Sequence, residues 1–249
     1  MIYIQRKRYE KIVSVLKQRQ PSLALLAENL QDPHNLSAIS RTCDAIGLMH
    51  LWTIAYNRDS MHIQNGISQG AAKWLNMRSF DQLESIEKEA RSHGMQTVCT
   101  TFSNRAIDFR AIDYTQPTLI MMGQEGWGAS EKAQAMADHH VIIPMMGMAQ
   151  SLNVSVAAAL ILYEAQRQRV AAKMYDTCQL NEKSYNRLLF QYCAPKVARH
   201  YQKNGIPFPD KVEDILEFVE EKELDGPHHD GRDAQRLSGR KRHQFDPKS

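Results

Sequence analysis

Between Ser22 and Arg169, short apolar runs alternate with segments of helical periodicity. LALLAEN, LWTIAY, QTVCTTF, TLIMMG and HHVIIPM have the length of buried strands, while NLSAISRTCDAIG and DQLESIEKEARSHG repeat their apolar residues at helical intervals. A last helix follows SLNVS and runs through AAALILYEAQRQR, almost wholly apolar at first. Strands alternating with helices predict an α/β fold, a parallel sheet with flanking helices. Ligands in such sheets bind beyond the carboxyl ends of the strands, so the loops after Leu26, Thr101, Met122 and Ile143 are where a site is expected. In the first helix Leu36, Ile39, Cys43 and Ile46 form the core-facing stripe. Asn35 is placed to cap that helix and Gly47 to end it in a left-handed turn. At about 100° per residue Arg41 then points away from the stripe, toward ligand or water.

Outside this region the pattern changes. KRYEKIVSVLKQRQ reads as a short basic amphipathic helix ending before Pro21. NEKSYNRLLFQYC and PKVARHYQKNG read as helices rich in aromatics and cations, and VEDILEFVEEKELD as one more, acidic on its outer face. Everything after Gly226 has the composition of a disordered tail. The expected organisation is therefore a basic helical extension (1–20), a principal domain (21–174), a second helical extension (175–225) and a basic tail (226–249).

The chain has 249 residues, 43 % of them hydrophobic and 24 % charged, as expected of a globular protein with one sizeable core. It has no run of the roughly 18 uninterrupted apolar residues of a membrane span and no secretory leader pattern, which points to the cytoplasm. Four cysteines without a C-x-x-C pair give no disulfide framework and no metal site. The net charge is only +3, but the ends carry the excess. Arg6, Lys7, Arg8, Lys11, Lys17 and Arg19 face Glu10 alone within the first twenty residues, and GRKRH stands in the tail. Such clusters attract a polyanion such as RNA, or else merely solvate a helix face.

Among motifs, GQEGWG follows a strand, but its G-x-x-G-x-G order and late position do not match a dinucleotide fingerprint, and no P-loop lysine follows. Close approach of backbone to another ligand remains a reason for its glycines. G-x-S-x-G and H-E-x-x-H are absent, so hydrolase and metalloenzyme readings have no support. What remains are polar residues at strand ends: Asn35 with Arg41, Glu125, and Ser151 with Asn153. Each alone is explained by a cap or a turn. Together they fall where ligands bind.

Three stretches, HNLSAISRTCDAIG, LIMMGQEGWGAS and IIPMMGMAQSLNVSVAAALILYEAQRQR, occur in an order and spacing that closely resemble the SpoU/TrmH methyltransferases, which have the SPOUT fold. The resemblance extends over roughly residues 8 to 210. It implies S-adenosyl-L-methionine as methyl donor, a homodimer, a C-terminal trefoil knot and no metal. Short helical extensions on both sides match the tRNA-acting members, which methylate the ribose 2′-hydroxyl of guanosine 18 in the D-loop. The alternatives are 2′-O-methylation of another tRNA position or of rRNA, and a non-catalytic RNA-binding protein. By resemblance, Thr100, Gly123, Ile143 and Leu152 contact the cofactor. Asn35, Arg41, Glu125, Ser151 and Asn153 line a catalytic pocket across the dimer interface. The basic helix near residue 10 and the segment from Arg187 to Lys203 grip RNA phosphates. The family assigns Arg41 to proton removal, yet a guanidinium holds its proton far above neutral pH. A cationic clamp on substrate phosphate and developing alkoxide is the alternative role.

Overall fold

The computed structural model describes residues 2–30, 32–54, 70–124 and 128–219. In chain order the elements are β1 (Ile2–Gln5), α1 (Arg6–Lys17), β2 (Gln20–Glu28), α2 (Pro33–Ala45), β3 (Leu48–Ile54), β4 (Asn76–Phe80), α3 (Leu83–Ser92) and β5 (Gln96–Thr100). Then follow β6 (Ile107–Asp108), β7 (Thr118–Met122), α4 (Glu131–Met136), β8 (His139–Ile142), α5 (Val154–Ala171), α6 (Glu182–Cys193), α7 (Pro195–Lys203) and β9 (Leu216–Val219).

The main sheet runs β4-β3-β2-β7-β5-β8-β6, and every pairing in it is parallel. The run LALLA belongs to an inner strand buried on both faces, which is why it is apolar without alternation. Its odd residues, Leu23, Leu25 and Ala27, pack with Leu36 and Ile39 of α2 and Ile161 and Leu162 of α5. Its even residues, Ala24 and Leu26, pack with Ile86 of α3 and Ala133 of α4. The sheet thus separates two cores, as the pleat dictates.

α2 begins three residues earlier than expected. Asp32 is the cap, its side chain accepting from the His34 N–H at 2.8 Å, with Pro33 in the first helical position. Asn35 is therefore not the cap; its side-chain oxygen accepts from Asn153 instead. Gly47 does stop the helix, at φ +78°, and a Cβ there would lie 2.6 Å from the Gln18 carbonyl oxygen.

The terminal segments, far apart in the chain, share one core. Ile4, Ile12 and Leu16 pack with Leu189, Phe190, Ala198, Val212 and Leu216. The expected acidic helix at VEDILEF is overturned: Glu213–Ile215 is a single 3-10 turn, and Leu216–Val219 is a strand lying parallel to β1. Leu216 points inward, while the Phe218 ring meets Tyr9 edge-on at 5.1 Å. A partner strand from the other end of the chain outweighs local helical preference. The part of this segment beyond Val219, and the tail at 226–249, lie outside the described residues.

Two arginines are interior. Arg19, expected in the polyanion-binding cluster, is 1 % exposed, pairs with Asp44 at 2.7 Å and donates to the Leu48 and Trp74 carbonyls. Charge counting along a sequence cannot see that the chain turns inward there. Arg169, at the end of α5, is fully buried. It donates to the Tyr114, Ser22 and Gln116 carbonyls and to the side-chain oxygens of Gln20 and Ser22, at 2.8–3.2 Å. Burial pulls its pKa down to about 10, so it is cationic at neutral pH. Among the described residues no helix is long and apolar enough to cross a membrane, and no cluster of His, Cys, Asp and Glu is placed to hold a metal ion.

Candidate active site

At the carboxyl ends of β5, β7 and β8 lies a cavity of about 330 Å³, in the size range of small-ligand sites. All four residues expected to touch a cofactor, Thr100, Gly123, Ile143 and Leu152, line it. So do Ser151 and Asn153. Met122, Val141, Val154 and Ala157 give it an apolar lining, and the polar groups come from the loops after β5, β7 and β8.

Local sequence explains the shape. Gly123 packs backbone to backbone against its own loop: a Cβ would stand 2.0 Å from the carbonyl carbon of Gly128 and 2.1 Å from the Ala129 nitrogen. Gly128 has φ +73°, a left-handed turn that a glycine adopts at little cost. The loop is braced from outside the cavity by Glu28, buried at the end of β2, which accepts from the Ser130 N–H at 2.9 Å and the Ser130 hydroxyl at 2.5 Å. Asn29 adds a bond from its amide to the Gln124 side-chain oxygen at 3.2 Å. Neither Glu28 nor Asn29 was expected as a site residue, although a carboxylate ending an apolar strand was the available signal. Glu125 lies outside the described residues.

The SLNVS stretch also divides its roles. Asn153 caps α5, its Oδ1 accepting from the Ser155 N–H at 2.8 Å and the Ser155 hydroxyl at 2.6 Å. With Oδ1 committed to two donors, Nδ2 faces the other way and donates to Asn35 Oδ1 at 3.0 Å. Capping and site building are thus one arrangement: the cap fixes the amide orientation, which in turn positions Asn35 of α2 beside the cavity mouth. Ser151 is exposed at the rim. Arg41 is not among the residues lining the cavity; it stands exposed on α2, six residues beyond Asn35, or about 9 Å along the helix axis.

A second concavity lies at the other end of the sheet. Its lining includes Arg8 of α1, Lys73, and Arg187, Lys196 and Arg199 of α6 and α7, and no carboxylate. Its floor is Met49, Asn76 and Met77, at the starts of β3 and β4. Because the strands are parallel, this groove and the cavity are separated by a strand length, about 17 Å for five residues. Four of the cations expected to grip RNA, Arg8, Arg187, Lys196 and Arg199, therefore converge on one surface, joined by Lys73 from the main domain, which has no charged neighbours in its own stretch of sequence to mark it.

Known proteins resemble this chain closely. The model for the SpoU rRNA Methylase family matches residues 22–163, and that for the SpoU rRNA methylase C-terminal region matches residues 167–213. The tRNA (guanosine(18)-2′-O)-methyltransferase of Escherichia coli K12 is 43 % identical over 204 residues, covering 81 % of this chain and 89 % of that protein. The crystal structure of the A. aeolicus TrmH/SpoU tRNA modifying enzyme superposes with a TM-score of 0.73 at 40 % identity, over 77 % of this chain and 97 % of that one. The Streptomyces viridochromogenes SpoU methyltransferase AviRb, solved in complex with the cofactor AdoMet, superposes with a TM-score of 0.54 at 30 % identity over 62 % of each chain.

Proposed function

The chain belongs to the SpoU methylase family, and on that footing we propose that it transfers a methyl group from S-adenosyl-L-methionine to the ribose 2′-hydroxyl of guanosine 18 in the D-loop of tRNA. The observation that carries this reading is the cavity at the ends of β5, β7 and β8, whose mouth holds the hydrogen-bonded Asn35–Asn153 pair. Its lining suits the cofactor: apolar side chains for a purine face and main-chain groups around Gly123 and Leu152 for polar atoms. When bound, the cofactor supplies an electrophilic methyl group. The protein's own contribution is position and charge. Asn35 and Asn153 fix the mouth, Ser151 adds a hydroxyl at the rim, Glu125 belongs to the same catalytic set, and Arg41 offers its guanidinium to a substrate phosphate and the developing alkoxide.

The same reading includes a homodimer with the catalytic pocket at its interface, a trefoil knot formed by the segments after β7 and β8, and a cytoplasmic setting. α5 supports the dimer. Ala158, Ile161, Leu162 and Ala165 are buried within the chain, whereas Val156, Leu160 and Tyr163 form an exposed apolar stripe on the same helix. A helix apolar on all sides needs a partner on both.

Labelled S-adenosylmethionine and an unmodified tRNA transcript test the function. We expect label in an alkali-resistant linkage at the D-loop guanosine. Transfer to ribosomal RNA alone would reassign the substrate, and no transfer despite cofactor binding would leave an RNA-binding protein.

The basic groove makes a separate prediction. Changing Lys196 and Arg199 together to Glu raises the KM for tRNA about tenfold and lowers the slope of log affinity against log salt by about two, because two phosphate contacts vanish. Cofactor affinity stays unchanged, since the groove is a strand length away. A salt slope equal to that of the parent would remove the groove from the RNA path.

A further inference from the structure

Behind the cavity, outside its lining, α4 carries Gln134. Its Oε1 accepts from the Thr101 hydroxyl at 3.0 Å, and its Nε2 donates to the Ala129 carbonyl at 2.8 Å. Its own main-chain carbonyl accepts from His140 Nε2 at 2.9 Å. Those three partners belong to the three segments that build the cavity. Thr101 follows β5, Ala129 ends the glycine loop after β7, and His140 precedes Val141 within β8. A carbonyl only accepts, so His140 Nε2 carries a proton there, and Nδ1 is left for the Ser103 hydroxyl at 2.9 Å. Ser103 in turn receives the Arg105 N–H at 3.3 Å, and its carbonyl receives the Ala106 N–H at 2.9 Å, which shapes the loop bearing Phe102. Phe102 lines the cavity and is 60 % exposed, an aromatic ring held at the rim.

The chemistry at residue 134 is narrow. One side needs an acceptor and the other a donor, set on a planar group, and among side chains of this length only glutamine supplies both. A glutamate would turn an oxygen toward the Ala129 carbonyl. A methionine of similar length would fill the space and satisfy neither partner.

We propose that Gln134 is a positioning residue for cofactor binding, the cross-brace that sets the spacing of the loops after β5 and β7 against β8 around the cavity. This rests on the reading that the cavity takes S-adenosylmethionine. Gln134 touches no ligand, so its effect reaches the cofactor only through Thr101, Ala129 and His140.

Calorimetric titration of the full chain with S-adenosylmethionine, without RNA, is the test. The parent binds, Gln134→Met weakens binding about tenfold through two lost neutral hydrogen bonds, and Gln134→Glu weakens it at least as much. Thr101→Val, which keeps shape and loses one bond, weakens binding about threefold in the parent and adds nothing in the Gln134→Met background. RNA affinity measured without cofactor is the same in all five proteins. Parent-like cofactor affinity in the Gln134 variants overturns the proposal whatever their melting temperature, because a purely structural role moves stability alone. So does weakening of RNA and cofactor binding together, which marks general damage. If Gln134→Met does not fold, Gln134→Glu decides by the same measurement, since Thr101 itself lines the cavity. A parent that does not bind the cofactor removes both this inference and the reading beneath it, whereas binding parent and unaffected variants remove the inference only.

Discussion

Arg41→Ala lowers the rate of methyl transfer about a thousandfold while cofactor affinity stays at the parent value. The magnitude is that of removing one preorganised charge from a developing oxyanion, roughly 3–4 kcal/mol. Binding is spared because Arg41 is outside the cavity lining. Arg41→Lys separates the two roles open to this residue. If a fixed cation is what the reaction needs, lysine retains part of the rate, on the order of a few per cent, since an ammonium supplies charge without the planar fork. A lysine variant as inactive as the alanine one would count against the clamp and for a function only guanidinium can perform. Single-turnover rates with saturating cofactor and tRNA make the comparison free of binding effects.

The second large effect falls on stability. Arg169→Leu lowers the unfolding free energy by roughly 3 kcal/mol, read as a fall in the urea midpoint at constant slope. Three main-chain carbonyls, of Ser22, Tyr114 and Gln116, lose a charged donor in a place water does not reach, at about 1 kcal/mol or more each. Relief of the buried charge offsets part of this, as the lowered pKa of Arg169 signals. Arg169→Lys recovers little, because a point charge cannot reach five acceptors spread across the start of β2 and the loop before β7. A loss below 1 kcal/mol for the leucine variant would show that the core repacks without the clamp.

How much of this was legible beforehand depended on how local each cause is. LALLAEN and TLIMMG announce buried parallel strands because burial on both faces removes the polar half of the pattern. β4, with the sequence NMRSF, is a polar edge strand defined by its pairing with β3, and nothing in its own residues announces it. β1 and β9 define each other across the length of the chain, so the helical reading of VEDILEF followed local periodicity and missed the partner. In the site, the motifs located the cavity through Thr100, Gly123, Ile143, Ser151, Leu152 and Asn153, because they cluster at the ends of neighbouring strands, whereas Arg41 stands outside the lining. Asn35 was first read as a cap, since Asn is a good one; the Asp32–Pro33 pair is better, and the overlooked competition is what leaves Asn35 facing Asn153. Arg19 shows the limit of counting charges: Lys17, two residues before it, reaches solvent, while Arg19 turns inward to Asp44. Lys73 shows the converse, a lone cation whose company is visible only in three dimensions.

The pairing of Ile2–Gln5 with Leu216–Val219 has a consequence for how the molecule comes into being on the ribosome. α5, which contributes Val154 and Ala157 to the cavity, ends at Ala171, well before β9 is made. At roughly 5–20 residues per second, β1 emerges first yet waits some ten to forty seconds for the strand it pairs with. By the end of that wait every strand of the main sheet, together with α5, has been made, while β1 still lacks its neighbour. The two-stranded sheet is therefore the last to close, and the end of synthesis, not its beginning, fixes the first strand of the chain in place.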